Sequence, residues 1–177
     1  MLDTMKGKIV IYVGLLLGLV ACSDTAAVRS VEGAYRYKTT GQVTIEENYD
    51  GATKADTMLI ALSNESGTLE MVSLHKGDSM LLTIDPLNGQ LAVTRGLVNG
   101  ARFDFEPYKR TLEVGVPKGL LDSLIHIEKQ EVFDITVSGY AEVYDNNLVF
   151  RLQYQGASET TERTLRGSNI MTLAKKN

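Results

Sequence analysis

The chain has 177 residues, of which 44% are hydrophobic and 23% charged, and it carries a formal net charge of −4. This length suits one globular domain, and the lack of a basic block gives no indication of nucleic-acid binding. With one cysteine, the chain cannot form an internal disulfide. A structural zinc site needs about four Cys or His ligands, and the chain has one Cys and two His. We therefore expect no metal and no other cofactor.

The N-terminal region predicts a secretory signal. Lys6 and Lys8 precede an uncharged apolar run at 9–20. Twelve helical residues span about 18 Å, which is short of the ~30 Å hydrocarbon core of a membrane. A charged start, a short apolar run and small residues before a cut are typical of a signal peptide. Asp3 fits the charged start poorly, so Met5 is an alternative first residue.

The single cysteine ends the tetrapeptide Leu19-Val20-Ala21-Cys22, which resembles the lipobox of bacterial lipoproteins. The resemblance implies cleavage just before Cys22, which then carries the acyl chains that hold the protein at a membrane; two or more chains anchor stably. The alternative is a plain signal peptide followed by a free thiol.

These features divide the chain into three parts. They are a lipoprotein signal peptide at 1–21, a lipidated flexible tether at 22–32 and a folded domain at 33–177. We expect an outer-membrane lipoprotein of the cell envelope, on the periplasmic face or at the cell surface, with the lipid anchor as its membrane partner.

Beyond Gly33 the apolar residues mostly recur at every second position. The alternation is strictest at 34–46, 133–144 and 148–155, where it predicts strands with one buried and one wet face. Further predicted strands lie at 57–63, 67–74, 79–85, 90–95, 101–108, 110–116 and 169–176. One short helix is predicted at 117–124, where Pro117 precedes leucines at helical spacing.

The links between these strands predict an all-β fold with antiparallel hairpins. Asn99-Gly100 and Asp145-Asn146-Asn147 are examples of turns that accept positive φ. About eight strands joined in this way favour an up-and-down β-barrel, because closure removes exposed edges, and a β-sandwich is the alternative. Gly41 and Gly139 lie in mid-strand on the apolar face, which suits a sharply coiled barrel strand.

A family resemblance accompanies this pattern. The stretches GAYRYKTTGQVTI, FDITVSGYAEVYDNNLVFRLQYQG and LRGSNIMTLAKKN look like strands of the calycin-like lipoproteins of Bacteroidetes. The resemblance covers most of 33–177 and contains no catalytic motif. It implies a small barrel of lipocalin or avidin shape.

Residues that could carry catalysis are sparse, so we expect the protein not to be an enzyme. His75 and His126 are far apart and lie outside any metal-binding motif. Asp104 and Glu106 share one strand face and could act as a carboxylate pair, but they alternate with phenylalanines as a solvated face does.

The aromatic residues of the inward strand faces are the candidate ligand contacts. In a small barrel such residues either fill the core or line a cavity for one ligand. The candidates are Tyr35, Tyr37, Phe133, Phe150 and Tyr154. The function expected is that of a membrane-anchored lipoprotein that binds a small apolar ligand or a partner protein. The alternative is a structural or interaction subunit of an envelope complex, without a ligand pocket.

Overall fold

The computed structural model describes residues 30–47, 56–62, 65–74, 78–117 and 128–177. These ranges contain ten strands: β1 (Gly33–Glu47), β2 (Asp56–Leu62), β3 (Ser66–Ser73), β4 (Ser79–Pro86), β5 (Ala92–Asn99), β6 (Arg102–Phe105), β7 (Tyr108–Pro117), β8 (Glu128–Tyr144), β9 (Asn147–Ser158) and β10 (Arg163–Lys176). Their pairings are antiparallel, so the predicted all-β antiparallel class is confirmed.

Several sequence predictions fall outside these ranges. They concern the signal peptide, the tether as far as residue 29, Cys22, His75, His126 and most of the predicted helix. Pro117, which was expected to begin that helix, is instead the last residue of β7, where it faces Glu128.

Strand pairing closes the sheet into a ring. The order is β1–β3–β4–β5–β6–β8–β9–β10, and β10 pairs with β1 to complete it. Neighbours in the ring follow each other along the chain, as the predicted up-and-down barrel requires. Asp145 and Asn146 form the predicted β8–β9 turn with φ angles of 47° and 62°, the left-handed values that a two-residue hairpin needs.

The ring has eight strand positions for ten strands, because two of the positions are each occupied by two short strands placed end to end. β2 and β3 lie end to end along β1, where Leu62 faces Gly41 and Ser66 faces Lys38. β6 and β7 lie end to end along β8 in the same way. The single strand predicted at 101–108 is therefore wrong: Pro107 has no N–H to continue the ladder.

The β4–β5 hairpin reaches only part of the barrel's height. We call the end where β1 begins the lower end. Pro86, the last residue of β4, faces Gly67 near the start of β3, so β4 stops below β2. Within the described ranges β2 pairs only with β1, and β7 only with β8. The lower half is thus a closed ring, and the upper half has an opening between β2 and β7 that we call the notch.

The predicted inward faces are buried and fill the barrel. The alternating burial of β1 and β9 matches the predicted phase, with Val43 and Ile45 fully buried. Rings of Phe103, Phe105 and Phe150 follow one another in the core at centroid distances of 6.1 Å. Aromatic pairs at such distances add to the stability gained from burial itself.

The neighbouring strand approaches closely at the two mid-strand glycines, and a Cβ at Gly41 would lie 2.8 Å from Cδ1 of Ile170. A Cβ at Gly139, whose φ is +146°, would collide with the carbonyl oxygen of Arg151. In β10 the register shifts between Gly167 and Ile170, and Ser168 and Asn169 are both exposed. This break in alternation is why the sequence predicts the last strand only from 169, although it begins at Arg163.

Candidate functional site

The five aromatic residues proposed as ligand contacts are all buried. Tyr37, Phe150 and Tyr154 surround one small internal cavity. Tyr35 lies at the lower end and donates its hydroxyl hydrogen bond to the carbonyl oxygen of Val31 at 2.7 Å. Phe133 lies in the upper half, facing Leu112 of β7. The structure therefore brings three of the five together and leaves two in the core.

The internal cavity is too small for an organic ligand. Its volume is about 20 Å³. One water needs roughly 10–15 Å³ by the same measure, whereas ligand sites span about 300–1,000 Å³. Side chains have filled the interior, as they do in the smallest barrels.

A buried polar network borders this cavity at mid-height, and we call it the waist cluster: Tyr37, Glu65, Tyr108, Arg110 and Tyr154. The Nη2 atom of Arg110 lies 2.5 Å from Oε1 of Glu65 and donates a hydrogen bond to the Tyr154 hydroxyl at 3.0 Å. That hydroxyl in turn donates to Oε2 of Glu65 at 3.3 Å. Arg110, on β7, and Glu65, just before β3, stand on opposite sides of the gap that the β4–β5 hairpin leaves.

Burial dominates the proton affinities in this cluster. It raises the pKa of Tyr108 to about 12, and it also raises the pKa of Tyr37 and Tyr154. Burial alone would lower the pKa of Arg110, but the oxygens of Tyr154 and Glu65 outweigh it and hold that pKa above its ordinary value. The tyrosines are therefore neutral donors, and Arg110 stays charged, across the physiological range.

Two polar atoms of the waist cluster have no hydrogen-bond partner among the residues that the structure describes. They are the hydroxyl of Tyr37 and the Nε of Arg110. Unpaired buried polar atoms are costly and uncommon, so each needs a physical explanation. The 20 Å³ cavity that Tyr37 borders has room for one water that could satisfy its hydroxyl.

Sequence reasoning missed Arg110 and Glu65. A usable signal was present for Arg110, which shares its strand face with Leu112, Val114 and Val116. An arginine in phase with three buried aliphatic residues predicts a buried charge that needs an acid partner. Glu65 carried no such signal, because it lies between two strands rather than within one.

The notch above the waist cluster is a larger space, with a volume of about 480 Å³. Its sides are the unpaired edges of β2 and β7, with Ile60, Leu62, Leu112 and Val114 as apolar lining. Glu65 lines both the notch and the internal cavity, so it separates the two. The notch therefore combines these apolar residues with a larger polar surface, to which Asn88, Glu113 and Gln130 contribute besides Glu65.

A larger depression is an open groove of about 860 Å³ on the outer wall. Gln42, Thr136, Gln153 and Arg166 line it together with Leu59, so it offers polar and apolar surface in similar amounts. It is more open to solvent than the notch and would bury less of a ligand, so volume alone is a poor guide to the site.

A different part of the outer wall is apolar. Leu97 is 58% exposed, Val93 49% and Val72 41%, and Leu87 and Leu91 at the β4–β5 turn are 77% and 60% exposed. We call these five residues the outer apolar patch. Leu81 on β4 faces Val72 and so continues it across the sheet. Arg95 lies between Val93 and Leu97 on the same strand face, so one charge interrupts this apolar surface. Large exposed apolar patches mark contact sites.

The described residues offer no assembled catalytic group. Asp104 accepts hydrogen bonds from the Arg102 Nε at 2.8 Å and 3.0 Å, and Glu106 lies in the break after β6. Nowhere in the described ranges do three His, Cys, Asp or Glu side chains converge as metal ligands would. The same ranges contain no helix long and apolar enough to cross a membrane.

Comparisons of the chain with protein-family models, with curated proteins and with solved structures returned no match. The resemblance to calycin-like lipoproteins stays a prediction from the sequence.

Proposed function

We propose that this protein is a lipid-anchored binding protein of the bacterial cell envelope, held at the membrane through Cys22. The supporting observation for the anchor is the sequence Leu19-Val20-Ala21-Cys22 after a short apolar run. Ring closure and the core fall wholly within residues 30–177, so the barrel can hang from its N-terminal end as a separate unit.

The binding site in this proposal is the notch, and the ligand is a small amphiphile. The notch volume of about 480 Å³ falls within the usual range for small-molecule sites, which the internal cavity does not reach. The apolar lining suits a hydrocarbon portion, and the polar surface around Glu65 suits a polar head. A ligand held there touches the barrel from outside and leaves the filled interior intact.

Nile red, an uncharged fluorescent dye, tests the notch, because Glu65 and Glu113 would repel an anionic dye. Ala61 is exposed on β2 and lines the notch, whereas Thr57 lies on the same face of the same strand outside it. Ala61→Glu should weaken binding of the dye at least about tenfold, because the bound dye would remove water from the added charge. Thr57→Glu adds the same charge and should leave dye binding unchanged.

A third variant separates the notch from the outer apolar patch. Leu97→Glu places a charge in the patch and should not affect binding of the dye. If Leu97→Glu abolishes binding and Ala61→Glu does not, the dye binds the patch and the notch proposal fails.

The anchor is tested independently in cells. Cys22→Ala should prevent acylation, so mass spectrometry should find no lipid on the N-terminal peptide and the acyl chains should be absent from the protein. Retention of the lipid mass in this variant would contradict the lipobox interpretation.

The outer apolar patch supports a second candidate function, docking on another envelope protein. A photo-crosslinking residue at Leu97 should give one discrete adduct in cells, and the same residue at Thr57 should give none. Absence of an adduct at Leu97 leaves the patch without a partner and counts against this function.

A further inference from the structure

A second charged feature lies on the outer wall near the lower end of β1 and β10. We call Arg36, Lys38 and Lys175 the basic patch. All three are exposed, and Leu173 and Met171, which are 38% and 45% exposed, adjoin them on the same wall. Lys176 has the inward phase of β10 and lies beside the patch at the lower rim, where it faces Tyr35. The patch is positive on a chain whose formal net charge is −4.

The two strands place like charges side by side. Arg36 on β1 faces Lys175 on β10 directly, and Lys38 faces Leu173. Like charges opposite each other destabilise an antiparallel pair. Among the described residues, no carboxylate lies within ion-pair distance of Arg36, Lys38 or Lys175.

Nearby acids do not neutralise the patch. Glu70 on β3 faces Ala34, which puts it diagonal to Arg36 rather than opposite it. Glu142 is already engaged by the Nε of Arg151 at 3.3 Å. The charge of the patch is therefore available to an external anion.

The patch also adjoins the point where the proposed tether meets the barrel. The Nζ of Lys176 donates a hydrogen bond to the carbonyl oxygen of Ser30 at 3.3 Å. Cys22 precedes Ser30 by eight positions in the sequence, a reach of at most about 28 Å. A lipid at Cys22 thus keeps this wall close to the headgroups.

We infer that the basic patch is a second membrane contact, which binds anionic lipid headgroups and turns this wall of the barrel toward the bilayer. The inference rests on the proposed lipid anchor for its proximity. It takes its chemistry from the unpaired cations and from the adjoining Leu173 and Met171. A barrel held at two points has a fixed orientation, which leaves the opposite wall for other contacts.

Vesicle sedimentation of an unlipidated chain beginning at residue 22, with Cys22→Ser, tests the patch without the anchor. This chain keeps every strand of the ring. It should bind vesicles of phosphatidylglycerol and phosphatidylcholine in equal parts more tightly than vesicles of phosphatidylcholine alone. Each basic side chain near such a surface contributes about fivefold, so Arg36→Glu/Lys38→Glu/Lys175→Glu should weaken binding roughly 100-fold or more.

A matched triple variant controls for net charge. Arg95, Lys109 and Lys129 are exposed cations on other parts of the barrel, and reversing all three changes the net charge equally. This control should retain most of the binding. Equal loss in both triple variants, or no preference of the parent chain for the anionic vesicles, overturns the inference. Because this chain carries no lipid, a failed Cys22 prediction would leave the vesicle result unchanged, and the two proposals can fail separately.

Discussion

Two arginines, the buried Arg110 and the partly buried Arg163, connect strands of this barrel in different ways. Arg163, near the upper end, uses both terminal nitrogens: Nη1 lies 2.8 Å from Glu131 and Nη2 lies 3.0 Å from Glu47. Its three residues belong to β10, β8 and β1. β1 pairs directly with β10, and β8 lies on the other side of β10, separated from it by β9. We call Glu47, Glu131, Thr161 and Arg163 the upper clamp.

Among the described residues Arg110 has one carboxylate partner, Glu65, which lies between β2 and β3, and neither of these strands pairs with β7. Arg110 extends from β7 to Glu65 at the waist, next to the notch. The upper clamp thus fastens strands that already belong to one continuous sheet, whereas the waist cluster bridges the place where the sheet is interrupted. We expect the stability of the barrel to depend more on Arg110. Within the described ranges, no backbone hydrogen bonds join β2 to β7 across the notch.

The largest effect is expected from Arg110→Met. The change leaves the Glu65 carboxylate without its cation, and breaking a buried pair costs about 3–5 kcal/mol. Urea unfolding measures the loss. Adding Glu65→Leu removes the stranded charge and should recover most of the stability, and Arg95→Met, an exposed control, should change it by less than about 0.5 kcal/mol. A single variant as stable as the parent would mean that the pair contributes nothing to the fold.

A smaller loss is expected from Arg163→Met, about 2–3 kcal/mol by the worth of hydrogen bonds to charged groups. Glu131 is more deeply buried than Glu65, but it keeps hydrogen bonds from the Ser158 and Thr161 hydroxyls, and Glu47 is partly exposed. Among the described residues, Glu65 would keep one hydrogen bond, from Tyr154. Arg163→Lys keeps the charge but cannot bridge two carboxylates, and it should fall between the parent and Arg163→Met. A loss larger than that of Arg110→Met would reverse the comparison.

Acid titration of the upper clamp should sharpen the comparison further. Burial tends to raise the pKa of Glu131, but hydrogen bonds from Ser158, Thr161 and Arg163 outweigh it and lower that pKa below its ordinary value of 4.5. A depressed folded-state pKa gives stability that is present above the unfolded value and lost as pH falls through the folded one. The unfolding free energy should therefore drop below about pH 4.5. The drop should be shallower in Glu131→Gln and unchanged in Glu142→Gln, whose exposed ion pair is a surface control.

The sequence predicts the barrel well because alternation reports the faces of each strand directly. The inward phases of β1, β8 and β9 are right, and so is the turn at Asp145-Asn146. It predicts interruptions poorly. The break at Pro107 and the shifted register at Gly167–Ile170 each change which positions face inward. A prediction that assumes constant alternation therefore places one strand across Pro107 and begins the last strand only after Gly167.

Only part of the waist cluster can be predicted from the sequence, for a related reason. The sequence shows Tyr37 and Tyr154 as aromatic residues on an apolar strand face, but it does not indicate which charged side chain contacts them. Arg110 and Glu65 are 45 positions apart, and only the geometry of the broken strands brings them together. The notch had no signal at all, because it arises from the length of the β4–β5 hairpin relative to its neighbours.

The smallest effects should come from the two tyrosine hydroxyls of the waist cluster, and their difference is the finest test of it. Tyr154→Phe removes the hydroxyl that links Arg110 to Glu65, and should cost about 1–2 kcal/mol. Tyr37→Phe removes a buried hydroxyl without a protein partner, and should change stability by less than about 0.5 kcal/mol. Urea unfolding of both variants under identical conditions measures the two losses of unfolding free energy. Equal losses would mean that the Tyr37 hydroxyl has a partner of similar strength, and a water in the 20 Å³ cavity is the one that the geometry allows.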